Sequence, residues 1–265
     1  MSNPEQPARH SRWAWAALAL TIVVVAGIAI GALTGGDDSG ASAPAAAAAT
    51  ASSGGTTAAA GGSSNAGIRL IRRVSTTPLQ DGGKPVLFFM GAHFCPFCAS
   101  ERWAFVKATS RFGTWTGLRP LKSADGDGFG RLATYDFVHA TYRSSVFKLR
   151  HKEVATVSGG RLQQLDGFES ALVNAYNPRG SIPFIAAGSN GGQYTVELPY
   201  SPSLLKGQSF DGLRRAIAAN DDTPVVRAIN DEADAITALM CRLGGGHPAS
   251  VCKAKPIAAL GTQLE

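Results

Sequence analysis

The stretch Lys84 to Gly113, KPVLFFMGAHFCPFCASERWAFVKATSRFG, contains two different periodicities and the bend between them. Val86 to Met90 is an unbroken apolar run, the pattern of a strand buried on both faces. Gly91-Ala92-His93-Phe94 leaves room only for a tight turn. From Pro96 the pattern becomes helical and runs to Phe112, with Gly113 as its stop. Ala99, Trp103, Val106 and Ser110 fall on one face of that helix. Pro96 occupies the first turn, where a missing N–H costs nothing. This reading stands Cys95 at the N-terminal end of a helix, facing unpaired N–H groups and the positive end of the dipole. Thiols so placed have pKa values of roughly 3.5–7.5 instead of ~8.5. Cys98, one turn in, is shielded and suited to resolving a mixed disulfide.

Outward from this stretch the chain continues to alternate. Two β-like runs lie near Tyr135–His139 and Ser145–Leu149. Asp166 and Glu169 make a capping-box-like start to a helix whose Phe168, Leu172, Ala175 and Tyr176 share a face. Ile182–Ala187 and Gln193–Leu198 read as the two strands of a hairpin. Pro183 opens the first of them, which predicts an edge or a special turn, because central strands reject proline. Ser209 caps a short helix, Phe210 to Ala219. Asp222-Thr223-Pro224 starts a longer one, with a stripe at Val225, Ile229, Glu232/Ala233, Ile236, Met240 and Leu243 and a stop at Gly244.

Four cysteines occur, in two unlike settings. Cys95 and Cys98 end a C-x-x-C, while Cys241 and Cys252 enclose a glycine-rich loop behind a long helix. A zinc site built from both pairs fits poorly, since zinc ligands usually come as two closely spaced pairs, so no metal and no cofactor is expected. Cys241 and Cys252 read as a structural disulfide pinning the C-terminal tail, worth roughly 3 kcal/mol through restriction of the unfolded chain.

The 265 residues include 31 Gly and 14 Pro, but no G-X-Y period, which excludes collagen. The net charge of +6 is mild, and its densest cluster, Arg69, Arg72 and Arg73, lacks interleaved aromatics, so no nucleic-acid partner is expected. Trp13 to Gly36 carries no charge, with Arg9 and Arg12 before it and Asp37 and Asp38 after it. The reading is a cytoplasmic tail over 1–12, a transmembrane helix over 13–36 and an Ala/Gly/Ser/Thr linker over 37–66. An extracytoplasmic domain over 67–265 follows, on a single-pass protein of the cell membrane with its N-terminus inside. A cleaved signal peptide is the competing reading of the same run.

The order of strand, C-x-x-C helix, strands, helix, Gly-x-Ile-Pro, hairpin and helix is a thioredoxin-like order with additions. The segments GAHFCPFCASERWA, NPRGSIPFIAAG, YSPSLLKG and MCRLGGGHPASVC resemble, in that order, a family of membrane-anchored proteins known as domain of unknown function 929. FCPFC followed by the helix is remotely similar to DsbA-type exported disulfide oxidoreductases. The resemblance implies an α/β, thioredoxin-like fold: a central mixed sheet flanked by helices, with an N-terminal transmembrane helix and a C-terminal helical extension. It also implies Cys95 as attacking cysteine, Cys98 as resolving cysteine and Pro183 as a cis-proline, with Ile182, Phe94 and Phe97 beside the substrate. Phe94 stands where thioredoxins carry Trp, Phe97 where DsbA-type motifs often carry His, and Val86–Met90 holds no buried acid. His93 is a candidate to offset the missing imidazole.

The expected function is a membrane-anchored extracytoplasmic thiol–disulfide oxidoreductase acting on the thiols and disulfides of exported proteins. Its expected redox partner is a membrane quinone-linked oxidase of the DsbB or vitamin K epoxide reductase type. The alternative is a redox-inert binding or scaffold module of the cell envelope.

Overall fold

A computed structural model describes residues 67–125, 128–197 and 200–264. In chain order the strands and helices are β1 (Ile71–Ser75), β2 (Gln80–Asp81), β3 (Lys84–Gly91), α1 (Pro96–Thr109), β4 (Thr114–Thr116), β5 (Arg119–Lys122), β6 (Ala133–Asp136), β7 (Thr141–Arg143) and β8 (Lys148–Glu153). There follow α2 (Gly167–Tyr176), β9 (Phe184–Ser189), β10 (Gly192–Val196), α3 (Phe210–Ala219), α4 (Pro224–Leu243), α5 (Ala249–Cys252) and α6 (Lys255–Gly261).

The central strand is β3. It pairs parallel with β8 and antiparallel with β9, and the sheet continues through β10 to β1. Alternate side chains of β3 serve two cores. Leu87 and Phe89 join the core beneath α1 and α4, with Ile185 and Ala187 of β9. Val86, Phe88 and Met90 join the core under α2, with Phe184, Ala186 and Leu172. That double covering is why the run is apolar without alternation. β4 pairs with β7 and β5 with β6 in two small ribbons. Trp115 of one ribbon stacks on Phe137, ring centroids 5.1 Å apart.

Helix α1 is buried on nearly all sides, its residues from Cys98 to Val106 all inside. The expected single apolar face is therefore corrected, and Ser110 is exposed. The sheet covers one side of α1; α4 and the β5–β6 ribbon pack against others, with Trp103 Nε1 donating to the Ala133 carbonyl at 2.9 Å. Local capping follows the sequence closely. Asp166 and Glu169 form a reciprocal capping box, and Ser209 and Thr223 cap α3 and α4 with side-chain oxygens.

Two strand readings shift. The runs expected near Tyr135–His139 and Ser145–Leu149 resolve into β6, β7 and β8, and β8 is a polar KLRHKE strand. Its inner charges are paired: Arg150 pairs with Asp81 and Asp166, and Lys152 with Glu169. The hairpin's first strand starts at Phe184, so Pro183 lies just before the first ladder pair, Met90 with Phe184. This lets β9 sit centrally despite the proline.

The expected architecture needs a correction at the N-terminus. Residues 1–66, with the expected tail, transmembrane helix 13–36 and linker, lie outside the described residues. Among the described residues no helix is long and apolar enough to cross a membrane. The longest, α4, spans 20 residues but carries Arg227, Asp231, Glu232, Asp234 and Arg242. In place of a thioredoxin-like fold with a membrane helix, the described residues form a mixed α/β domain, a sheet with helices on both faces.

Candidate active site

Strand β3 ends at Gly91, and after four residues, Ala92 to Cys95, the chain enters α1 at Pro96. Cys95 is the N-cap of α1, its backbone extended at φ −77°, ψ 121°. Its N–H donates to the Ala92 carbonyl at 3.3 Å, closing the turn. Its Sγ accepts the N–H of Cys98 at 3.1 Å, the role an N-cap oxygen usually plays. Sulfur is a weak acceptor as a thiol and a strong one as a thiolate, so this geometry favours the ionised form.

Both cysteines are free, and their environments differ. Cys98 is fully buried, whereas Cys95 keeps 4% of its surface. The Cys95 thiol is pulled below its usual pKa, first by hydrogen bonding with the Cys98 side chain, then, against the opposing effect of burial, by the backbone and by the Arg102 charge. Burial pushes the Cys98 thiol well up, and the hydrogen bond with Cys95 adds to the shift. One sulfur is thus made acidic at the expense of the other.

Ile182 and Pro183 reach the same place from the bend before β9, the antiparallel neighbour of β3. The Ile182–Pro183 peptide is cis, and the Ile182 carbonyl oxygen lies 3.8 Å from Cys95 Sγ. Ile182, Val154 and Ala155 pack around the small cluster of Ala92, Cys95 and Cys98. Phe94 and Phe97 flank it at the surface, 37% and 44% exposed, and Phe97 meets Phe129 edge-on at 5.6 Å. Among the sequence-derived residues, Cys95, Cys98, Ile182 and Pro183 come together, with Phe94 and Phe97 at the rim. Cys241 and Cys252 do not join them; they form a disulfide between the end of α4 and α5. His93 is buried with its Nε2 3.1 Å from Asp136 Oδ1, so its imidazole is engaged by a carboxylate.

Residues 71–150 match the family model described as Domain of unknown function (DUF929). No curated protein and no solved structure matches the chain. The matched segment holds β3, Cys95, Cys98 and all of α1; Ile182, Pro183 and the disulfide lie beyond it.

Sequence reasoning missed the buried charges of this site. Strand β3 has no acid, but the neighbouring strand supplies one: Glu153, at the end of β8, is fully buried and holds Arg102 of α1. On the other side of α1, Glu101 is buried with Glu232 of α4, and none of their four carboxylate oxygens has a hydrogen-bond partner among the described residues. Burial pushes the Glu101 carboxyl up to about 8, and burial together with the Glu101 charge raises that of Glu232. Nearby Tyr200 donates its hydroxyl to the Ser100 carbonyl at 2.6 Å. Three consecutive polar residues, Ser100-Glu101-Arg102, inside a C-x-x-C helix were the available signal. Among the described residues no group of three or more His, Cys, Asp or Glu side chains is placed to hold a metal ion.

Proposed function

We propose that the domain is a thiol–disulfide oxidoreductase in which Cys95 is the nucleophile and Cys98 the resolving thiol. The supporting observation is the asymmetry of the pair: a Cys95 sulfur that caps α1 at 3.1 Å, with its pKa lowered, above a Cys98 whose thiol is buried and raised. The Cys95 thiolate attacks one sulfur of a substrate disulfide, and the other substrate sulfur leaves as a thiolate. Cys98 loses its proton and attacks Cys95 Sγ, releasing the second substrate thiolate and leaving a Cys95–Cys98 disulfide. Run backwards, the same steps oxidise a substrate dithiol. The Ile182 carbonyl offers a backbone acceptor 3.8 Å from the reacting sulfur, and Phe94 and Phe97 offer apolar surface to a substrate chain.

The Cys241–Cys252 disulfide supports an oxidising compartment as the place of work. Substrates are then exported proteins. The partner that resets the pair is proposed to be a membrane quinone-linked oxidase. One observation favours the redox-inert binding module instead, namely the 4% exposure of Cys95.

The deciding experiment is iodoacetamide labelling of the reduced full chain across pH, with Cys95 followed by peptide mass. A labelling midpoint well below the ~8.5 of a free thiol supports exchange chemistry. A Cys95 that stays unlabelled until the protein unfolds supports the binding module.

A further inference from the structure

Arg102 lies on α1 one turn beyond Cys98 and is fully buried. Its Nε and Nη2 donate to the two carboxylate oxygens of Glu153 at 2.9 and 2.7 Å, a two-pronged grip. Nη2 also donates to the Ala92 carbonyl at 2.9 Å, the same oxygen that accepts the Cys95 N–H. The rings of Phe89 and Phe137 flank the guanidinium at 6.0 and 5.9 Å. Nη1 is buried without a hydrogen-bond partner among the described residues. Glu153 is itself held in place: its N–H donates to Gln163 Oε1 at 2.8 Å, and the next N–H, of Val154, donates to the Gly91 carbonyl at 2.8 Å.

A buried ion pair is a weak source of stability, because desolvating two charges consumes most of what their attraction returns. An apolar pair of similar volume would serve the core as well. What an apolar pair cannot do is place a positive charge, held in fixed orientation by its carboxylate, beneath the C-x-x-C turn, where low polarisability strengthens its field. Arg102 acts on the thiols in that sense, favouring the ionised form of both Cys95 and Cys98. The other titratable groups packed here are Glu153, which anchors the guanidinium, and His93, which is engaged by Asp136.

We infer that Arg102, clamped by Glu153, is a positioning residue for the exchange reaction: it fixes the Ala92–Cys95 turn and stabilises the thiolate formed there. The inference rests on Cys95 as the nucleophile of the preceding section. It makes the buried ion pair the element that sets how oxidising the Cys95–Cys98 couple is, since a stabilised thiolate favours the reduced form.

The test removes both charges together, so that neither is left buried alone: Arg102→Met with Glu153→Gln in the full chain. Two quantities are read: the pH midpoint at which the Cys95 thiolate displaces iodide from iodoacetamide, and the equilibrium of the couple with glutathione. In the latter the Cys95–Cys98 disulfide takes two electrons and two protons from two glutathione molecules, which leave as glutathione disulfide. The expected result is a midpoint at least one pH unit higher and an equilibrium at least tenfold less in favour of the dithiol, about 30 mV. Arg102→Lys, which keeps the charge, holds most of the wild-type midpoint. Should the double variant fail to fold, Glu153→Gln alone reads the same relationship with opposite sign, and the midpoint falls. A folded double variant, or a folded Glu153→Gln, with the wild-type midpoint overturns the inference and leaves the oxidoreductase reading standing. A wild-type Cys95 with an ordinary free-thiol midpoint overturns that reading, and the role of Arg102 with it.

Discussion

Cys95 Sγ and the carbonyl oxygen of Ile182 stand 3.8 Å apart, although the two residues are 87 positions apart in the chain. One is delivered by the N-terminus of α1, the other by the bend that precedes β9. They meet because β3 and β9 are antiparallel neighbours, so the exit of one strand lies beside the entrance of the other.

The first prediction concerns the two thiols of the site. Cys98→Ser should accumulate a mixed disulfide between Cys95 and a substrate protein, because the attacking sulfur remains and the resolving one is gone. Cys95→Ser should form none, since the remaining Cys98 thiol is buried with a raised pKa. Non-reducing electrophoresis of each variant after incubation with an oxidised protein distinguishes them. Equal adduct formation by both would contradict the assignment of roles.

The second concerns Glu101 and Glu232. Both acids hold their protons more tightly in the folded chain than the value of 4.5 for an ordinary glutamate, Glu101 to about 8. For an acid whose folded pKa is raised, the stabilising form is the protonated one. For Glu101 that contribution is complete below about pH 4.5 and is lost as pH climbs to about 8, at up to roughly 1.4 kcal/mol per pH unit; Glu232 shifts stability in the same direction. The melting temperature should therefore fall across this window. Glu101→Gln should flatten the fall, which calorimetry at a series of pH values would measure; an unchanged slope would argue against a buried neutral Glu101.

The third separates the two cysteine pairs. The Cys241–Cys252 disulfide ties the end of α4 to α5, and from there α6 lays Ile257 and Leu260 into the main core. Replacing both cysteines with serine should cost roughly 3 kcal/mol, or a melting temperature lower by roughly 5–10 °C. The Cys95 labelling midpoint should stay where it was. A loss of Cys95 reactivity in that variant would mean that the two pairs are not independent.

A fourth prediction tests how tightly the strand leads into the site. A Cβ on Gly91 would stand 2.8 Å from Cε1 of Phe89 and 3.4 Å from Cys98 Sγ. Phe89 cannot give way easily, being fully buried against Phe105 and Phe137 at 5.3 and 5.2 Å. Gly91→Ala should cost about 1–3 kcal/mol, read by denaturant unfolding. A neutral substitution would show that the ring has room to move.

Much of the local structure is legible in the sequence, because it depends on neighbours along the chain. The unbroken run Val86–Met90, the C-P-x-C entry to α1, the Asp166/Glu169 box and the Thr223-Pro224 start of α4 each need only a few consecutive residues. Strand β8 was misplaced for the opposite reason. KLRHKE has no apolar alternation, and its strand conformation is supported by pairing with β3 and by ion pairs from Asp81, Asp166 and Glu169.

By itself the sequence determined that a strand, a turn and a helix would present Cys95 at a helix N-terminus with Cys98 one turn behind it. Periodicity and capping are properties of adjacent residues, and they do not change with what surrounds them. Tertiary structure alone decided which charges are buried. Arg102 meets Glu153 only because the parallel register of β3 and β8 sets Gly91 opposite Glu153, and Glu101 loses water only because α4 covers the second side of α1. Burial and partnership fix the electrostatics of the two thiols, and both are set by elements brought together from distant parts of the chain.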